Sequence, residues 1–350
     1  MIGYSSEFII GAALPAQGLE DGGFAVHLAR VSELGHSAAL VRLPWAQLQP
    51  ATGQFDTDLI GRYGHLCESL RAAGIEPLCV LWDECLPQWF EAQGGWKHPD
   101  AAGQFSAYAA RVAKTLAPHC QWWVPLVEPE YWLARTYHER ARSGYRRALA
   151  QMTRAHIDSA AALRAARPDV HIGLSVRVFS AEPADTDSPW DFGAAQRLEH
   201  RLNHRMAERL RESGGQGAFD FALASWGGVV SAWFSPWRWR REWVLTMNGH
   251  KTRISLRDAC RDIARFDEAL SALLGHQAPL LVMGDGFNDK PLALDEQLRS
   301  LAARCAEEGG DRMIGFLLRA PVDKVDWERN RPLLETLRTG AEPWPREMDA

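Results

Sequence analysis

The feature that most constrains the fold of this chain is a set of eight short apolar segments that alternate with stretches of helical character. We expect each apolar segment to form a buried strand. Alternating strands and helices favour a parallel sheet, and eight such units are typical of a closed (β/α)8 barrel. An open doubly wound sheet is disfavoured, because no glycine-rich phosphate loop follows the first predicted strand. The predicted strands cover residues 8–13, 38–42, 77–82, 122–127, 170–175, 221–225, 280–283 and 313–318.

The helical stretches and the ends of the chain set the predicted domain organisation. A helix over residues 24–34 is predicted to end at Gly35, and a long helix is predicted over residues 145–166. No linker or short repeat divides the sequence. We therefore predict a single-domain α/β barrel over residues 1–340 and a loose tail over residues 341–350.

Composition narrows the classes of function. The net charge of -5, from 39 basic and 44 acidic residues, gives no basic footprint for nucleic acid. No apolar run of about 18 residues could span a membrane, and the amino terminus lacks a basic, apolar leader, so we predict a cytoplasmic protein. The six cysteines form no CxxC pair, and His200 and His204 lack the Glu of a zinc helix motif, so we expect no metal and no cofactor. The oligomeric state is left open.

Tryptophan is unusually abundant, with 15 residues. A single Trp is most often a core residue, but its flat apolar face also suits the C–H face of a sugar. Taken together, the tryptophans favour a carbohydrate ligand.

Polar and aromatic residues follow several of the predicted strands. Because catalytic groups of a (β/α)8 barrel come from the carboxyl ends of its strands, we expect these side chains to converge on one rim. The candidate catalytic residues are Glu128, Asp83 and Asp285. The candidate substrate-binding residues are Gln17, Arg42, Trp45, Trp82, Glu84, Glu130, Trp226, Arg319, Asp326 and Trp327.

Several motifs resemble those of the family 1 glycoside hydrolases, the β-glucosidase family. They are Gly11-Ala12-Ala13 with Gln17 and Glu20, the segment 74–77 with 86–88 and 94–96, Glu128-Pro129, Gly286-Phe287 and Asp326-Trp327. The resemblance extends from about residue 8 to residue 330. It implies the family's barrel fold, a sugar or glycoside ligand, Glu128 as the general acid/base, and Gln17 and Trp327 among the groups that hold the sugar.

The departures from the family pattern fall on the catalytic groups. Retaining members need a second carboxylate as nucleophile, about 5 to 5.5 Å from the first. Alignment on Gly286-Phe287 puts Gly284 at the nucleophile position, and a glycine cannot attack an anomeric carbon. Further differences are Val127 for Asn, Asp83 for His, Glu84 for Trp, Ser225 and Gly227 for the Asn-x-Tyr set, and Arg319 for Trp.

Three functions remain compatible with this pattern. In the first, the chain is a glycoside-acting enzyme with Glu128 as acid and Asp83, Glu84 or Asp285 as base. Such a pair of acid and base favours inversion at the anomeric carbon. Asp83 is slightly preferred as the base. In the second, the barrel binds a sugar without cleaving it. In the third, it is a glycosyl transferase or lyase, because fold alone does not fix function. Arg319 at a pocket-facing position further suggests that the ligand is anionic.

Overall fold

The computed structural model describes residues 9–14, 24–33, 35–137, 142–214, 217–234, 246–247, 279–284 and 313–318. The strands of this part are β1 Ile9–Ala13, β2 Ala38–Arg42, β3 Glu76–Trp82, β4 Trp122–Leu126, β5 His171–Pro183, β6 Phe221–Ala232, β7 Thr246–Met247, β8 Leu280–Gly284 and β9 Met313–Leu318. The helices are α1 Phe24–Glu33, α2 Trp45–Leu48, α3 Thr57–Ala72, α4 Gln88–Ala92, α5 Ala101–Leu116, α6 Pro129–Thr136, α7 Arg142–Ala166, α8 Pro189–Asn203 and α9 Arg205–Gly214, with a 3-10 turn at Gly95–Lys97.

The sheet closes on itself. Its order is β5-β4-β3-β2-β1-β9-β8-β6, and β6 pairs again with β5. These eight strands are mutually parallel, whereas the two-residue β7 pairs with β6 in the antiparallel sense. The predicted (β/α)8 barrel is therefore confirmed, and each of its eight strands lies where a short apolar segment predicted one.

Burial on both faces explains why the strands are apolar runs. Every residue of β3 after Glu76 is buried, as expected for parallel strands that have side chains inside the barrel on one face and helices on the other. Leu40, Val80 and Leu317 belong to a cluster inside the barrel. Val41, Leu81 and Phe316 belong to the larger cluster between the strands and the helices.

Local signals set the ends of the helix before β3. The Asp56 side chain accepts a hydrogen bond from the Leu59 amide at 2.8 Å and so caps the first turn of α3. At the other end, Gly74 adopts a left-handed conformation with φ of 76°, which returns the chain towards β3. This cap and this glycine define a helix directly before the strand that carries Asp83 at its end.

Strands β5 and β6 are longer than predicted. Beyond the barrel their pairing continues to Pro183 opposite Ala232, after a register shift between Val178 and Phe179. The shift leaves Gly227 without a partner in the register, and a Cβ there would lie 2.5 Å from the Phe179 ring. We call residues 179–183 with 228–232 the β5–β6 ribbon. At about 3.3 Å per residue, the ribbon extends roughly 17 Å past the barrel.

A search for membrane-crossing helices among the described residues finds none that is both long and apolar enough. The predicted tail at residues 341–350 lies outside the described residues.

Candidate active site

The inward-facing positions of the strands place polar groups at the carboxyl end of the barrel. Successive inward residues are two apart along a strand, so the series that contains Ala38 and Leu40 continues to Arg42, and the series with Phe221 and Leu223 continues to Ser225. On β5 the corresponding position is Arg177, which is paired in register with Ser225. Apolar side chains thus fill the barrel interior, and the layer of side chains at the carboxyl ends of the strands is polar.

These groups surround a cavity of about 310 Å³. Its position beyond the strand ends is where ligands bind in barrels of this kind. The residues that line it are Leu40, Arg42, Asp83, Glu84, Val127, Glu128, Tyr131, Arg135, Arg177 and Met283. Arg42, Asp83, Glu84 and Glu128 were predicted from the sequence to meet at this rim, and the structure brings these four together.

Glu128 occupies a backbone position with an unusual conformation. It follows β4, directly precedes Pro129 of α6, and has φ of 45° and ψ of 47°. A left-handed conformation is uncommon for a residue with a side chain and clusters at functional sites. The Glu128 amide donates to the Ser175 hydroxyl at 3.2 Å, which holds this turn against β5.

The Glu128 carboxylate is buried and has two close polar partners. Its Oε1 accepts a hydrogen bond from Ser225 Oγ at 2.6 Å, and its Oε2 lies 3.0 Å from Arg177 Nε. Only 3% of its side chain is exposed. A hydroxyl donor and a guanidinium both stabilise the charged form of a carboxylate, so these two contacts favour the anionic form of Glu128.

The other two carboxylates of the cavity also have arginine partners. Asp83 Oδ2 lies 2.6 Å from Arg42 Nε, and Glu84 Oε2 lies 2.5 Å from Arg135 Nη2. Glu84 is the second non-glycine residue with positive φ, at 61°. The described wall of the cavity therefore carries three acidic and three basic side chains, and each acidic group lies beside a basic one.

Tyr131 joins two of these pairs. The guanidinium carbon of Arg177 lies 4.6 Å from the centre of its ring, and that of Arg135 lies 5.3 Å away. These are cation–π distances. On the β5 side the ring also packs against Phe179, with 5.5 Å between ring centres. Sequence reasoning missed Tyr131 and Arg177 as site residues, although the alternation Gly173, Ser175, Arg177 is a signal that could have found Arg177.

The positions of Trp45 and Trp82 correct two predicted substrate contacts. Trp45 is 1% exposed, and its ring packs against Phe90 and Tyr108 with centres 4.7 Å and 5.4 Å away. Trp82 is fully buried, and its indole donates to the carbonyl of Cys85 at 3.0 Å. Neither lines the cavity, because both complete the core between strands and helices instead.

The position of Glu130 corrects a third predicted contact. Its side chain is buried away from the cavity wall and accepts a hydrogen bond at Oε1 from the Met206 amide at 2.9 Å, at the start of α9. Burial raises the pKa of Glu130 to about 8, against the opposing effect of the amide donors of Met206 and Arg205. Glu130 therefore joins α6 to α9 and does not contact a ligand in the cavity.

The remaining predicted site residues cannot be placed in the cavity. Trp226 belongs to β6, but its side chain is outside the described part. Gly284 is the last residue of β8, and Met283 beside it lines the cavity. Gln17, Asp285, Arg319, Asp326 and Trp327 lie outside the described residues.

Two further observations bear on metal chemistry. Among the described residues, no group of three or more His, Cys, Asp or Glu side chains could hold a metal ion. His200 and His204 stack with 5.9 Å between ring centres, and His200 Nε2 lies 3.0 Å from Glu208 Oε1. These groups lie on α8 and α9, and they line no part of the described cavity.

Comparison with known proteins gives one consistent result. Residues 24–216 match the family model described as glycosyl hydrolase family 1. Lactase/phlorizin hydrolase of Rattus norvegicus is 30% identical over 174 residues, which cover 45% of this chain and 9% of that protein. Thermostable β-glucosidase B of Thermobispora bispora is 31% identical over 102 residues, covering 29% of this chain and 21% of that protein. The aligned part thus spans a quarter or less of these two relatives.

Solved structures agree in fold. The β-glucosidase from Thermotoga maritima in complex with glucoimidazole superimposes with a TM-score of 0.70 at 16% identity, over 91% of this chain and 90% of that chain. At this identity the likeness shows the shared barrel.

Proposed function

This chain belongs to glycosyl hydrolase family 1, and on that basis we propose that its cavity binds a sugar or a glycoside without cleaving it by the family's retaining double displacement. Two facts support a sugar ligand. The cavity lies at the strand ends and is lined by hydrogen-bonding side chains. The similar β-glucosidase from Thermotoga maritima is known in complex with the sugar-like compounds glucoimidazole and deoxynojirimycin.

The contacts of the Glu128 carboxylate are the observation that carries the proposal. A general acid must hold a proton before it can give one to the leaving group. Arg177 at 3.0 Å and the Ser225 hydroxyl at 2.6 Å instead stabilise the anion. As an anion, Glu128 accepts hydrogen bonds from sugar hydroxyls but does not protonate a glycosidic oxygen.

The retaining mechanism also needs a nucleophilic carboxylate, the second of its two catalytic groups. The resemblance puts Gly284 at the nucleophile position, at the end of β8. Without a carboxylate there, no covalent glycosyl intermediate can form at that position. Loss of the proton donor and loss of the nucleophile agree with each other, and both favour binding over retaining hydrolysis.

Inverting hydrolysis is the second candidate, and one observation favours it. Asp83 and Glu128 follow the neighbouring strands β3 and β4 and line the same cavity. An inverting pair holds its carboxyl groups about 6.5 to 9.5 Å apart, one as base towards water and one as acid. For this reaction Glu128 must first lose its contact with Arg177 and gain a proton.

The charged side chains of the described cavity wall balance each other. The three arginines of the described wall are balanced by three carboxylates. Arg319, which suggested an anionic ligand, lies outside the described residues. The described wall therefore does not favour an acidic sugar over a neutral one.

The test combines turnover and binding on one panel. Chromogenic α- and β-glycosides, including uronic acid and phosphorylated sugars, are offered to the wild type and to the Glu128→Gln variant, and the free sugars are titrated by calorimetry. Glu68→Gln, a change at an exposed position on α3, is the matched control. We expect binding of at least one sugar, weaker binding in Glu128→Gln, wild-type binding in the control, and no turnover by any variant.

Turnover would decide between the alternatives. Hydrolysis that disappears in both Glu128→Gln and Asp83→Asn, with an inverted product anomer by NMR, establishes the second candidate. Hydrolysis with retention at the anomeric carbon, or the absence of binding by every sugar, contradicts the proposal.

A further inference from the structure

Two large apolar side chains are prominently exposed on the described surface, and both lie in the first turn of α8. Trp190 is 68% exposed and Phe192 is 54% exposed. The Trp190 ring is stacked on Phe234, with 5.3 Å between ring centres and 25° between ring planes. Phe234 thus supports one face of the indole. We call Trp190 with its supporting Phe234 the aromatic platform.

A buried carboxylate holds the aromatic platform in place. Asp191, directly after Trp190, is 8% exposed, and its Oδ1 accepts a hydrogen bond from the Phe234 amide at 2.7 Å. Its Oδ2 accepts from the Asp185 amide at 3.3 Å, and its own amide donates to the helix-capping Ser188 hydroxyl at 3.2 Å. One side chain therefore fixes the backbone on both sides of the ring stack. A rigid aromatic surface binds at a low cost in conformational entropy.

The aromatic platform lies beyond the same end of the barrel as the cavity. Strand β5 presents Arg177 to the cavity and continues for six residues to Pro183, a distance of about 20 Å along an extended strand. Helix α8 follows after a short loop, and Phe234 of the platform comes two residues after β6 ends. Strand β5, which lines the cavity with Arg177, and its neighbour β6 thus also carry the platform.

The residues around the aromatic platform indicate which class of ligand it binds. The loop before α8 exposes Asp185 and Asp187, which can accept hydrogen bonds from hydroxyl groups. Their negative charge opposes nucleic acid, anionic membranes and acidic sugars. An apolar face with hydroxyl groups at its edge is the pattern of a neutral sugar ring on an indole.

The size of the patch opposes a protein partner. A stable protein interface covers about 800 Å² on each side and centres on several anchors. Phe192 does not enlarge the platform, because a residue two positions along a helix points roughly 200° away. The exposed area of the platform is therefore that of a site for one or two sugar rings.

We propose that the aromatic platform is a second carbohydrate site, separate from the cavity, which binds a neutral oligosaccharide by stacking a sugar ring on the exposed face of Trp190. Binding at this site does not depend on the function of the cavity, so its test is independent of the test of the proposed function.

The test observes Trp190 directly. The protein is labelled with 5-fluorotryptophan, and the fluorine resonance of Trp190 is identified as the one absent from Trp190→Phe. Cellohexaose and laminarihexaose are the neutral probes, and trigalacturonate is the acidic one. We expect a neutral hexaose to shift the Trp190 resonance, also in Glu128→Gln, and trigalacturonate to leave it unchanged.

Affinity measurements supply the matched control. Trp190→Ala should weaken binding of the neutral hexaose about tenfold, as expected for the loss of one stacked aromatic contact. Phe192→Ala removes another exposed ring from the same helix turn and should bind as the wild type does. The proposal is overturned if neither hexaose shifts the Trp190 resonance, or if both alanine variants lose the same affinity. It is also overturned if the chain self-associates through Trp190, because a second copy would then occupy the surface.

Discussion

Replacing Arg177 by methionine tests the role of the Glu128 ion pair most severely. Methionine replaces the aliphatic stem of the arginine and removes the guanidinium. Glu128, with 3% of its side chain exposed, then loses the partner that lies 3.0 Å from its Oε2. The Ser225 hydrogen bond at 2.6 Å remains. The variant therefore leaves a buried carboxylate without this cation.

The expected cost follows from the geometry. Two unit charges 3.0 Å apart attract each other by about 5 to 6 kcal/mol at an effective dielectric constant near 20. Desolvation of both groups offsets part of this attraction, and removal of one partner from a buried pair typically costs about 3 to 5 kcal/mol. We expect Arg177→Met to lower the free energy of unfolding by that amount at pH 8.

Urea titrations at pH 8 measure the effect. The double variant Arg177→Met/Glu128→Gln removes both charges and should recover most of the lost stability, since a neutral pair leaves no buried ion. Arg177→Lys keeps a cation and should lose less than the methionine variant. A loss below about 1 kcal/mol in Arg177→Met, or an equal loss in the double variant, would refute the view that Arg177 holds Glu128 as an anion.

Four further variants test the account of the fold by urea titration. Burial raises the pKa of Glu130 from 4.5 to about 8. The stability that its proton contributes is therefore present at low pH and is lost as the pH rises through this window. Between pH 5 and pH 8, the free energy of unfolding of Glu130→Gln should fall by a few kcal/mol less than that of the wild type. Gly11→Ala should destabilise by about 1 to 3 kcal/mol, because its Cβ would lie 2.4 Å from a backbone oxygen of β2; Gly61→Ala in α3 meets nothing within 4 Å and should be neutral or stabilising. Asp56→Ala removes the cap of α3 and should cost about 1 kcal/mol.

Much of the barrel could be predicted because burial on both faces makes its strands apolar runs. Strands β2 and β9 have the predicted bounds, Ala38–Arg42 and Met313–Leu318. The convergence of Asp83 and Glu128 also followed from sequence, since residues after parallel strands meet at one rim.

The β5–β6 ribbon was not predicted, and the reason is physical. The predicted fifth strand ended at residue 175, before Arg177, because a charged residue inside an apolar run resembles the start of a loop. In the structure that charge is an inward residue of the last barrel layer, where Glu128 neutralises it. An ion pair between a strand residue and a residue that follows another strand leaves no signal in either segment alone.

The tryptophans show a different limit. Trp45 follows a strand and Trp82 ends one, as ligand-binding residues often do, yet both are buried in the core. Trp190, to which no motif pointed, is exposed. The same aromatic ring serves a core and a sugar site. Only the packing of α2, α4 and α5 around Trp45 distinguishes these uses.

The protonation state of Glu128 is the most direct test of the central claim, and infrared difference spectroscopy can measure it. The spectrum of the wild type minus that of Glu128→Gln, recorded at neutral pH, isolates the vibrations of this one side chain. We predict the stretching bands of an ionised carboxylate, which Arg177 and Ser225 stabilise. The carbonyl band of a protonated carboxylic acid would contradict the account and would restore Glu128 as the proton donor of a working glycoside hydrolase.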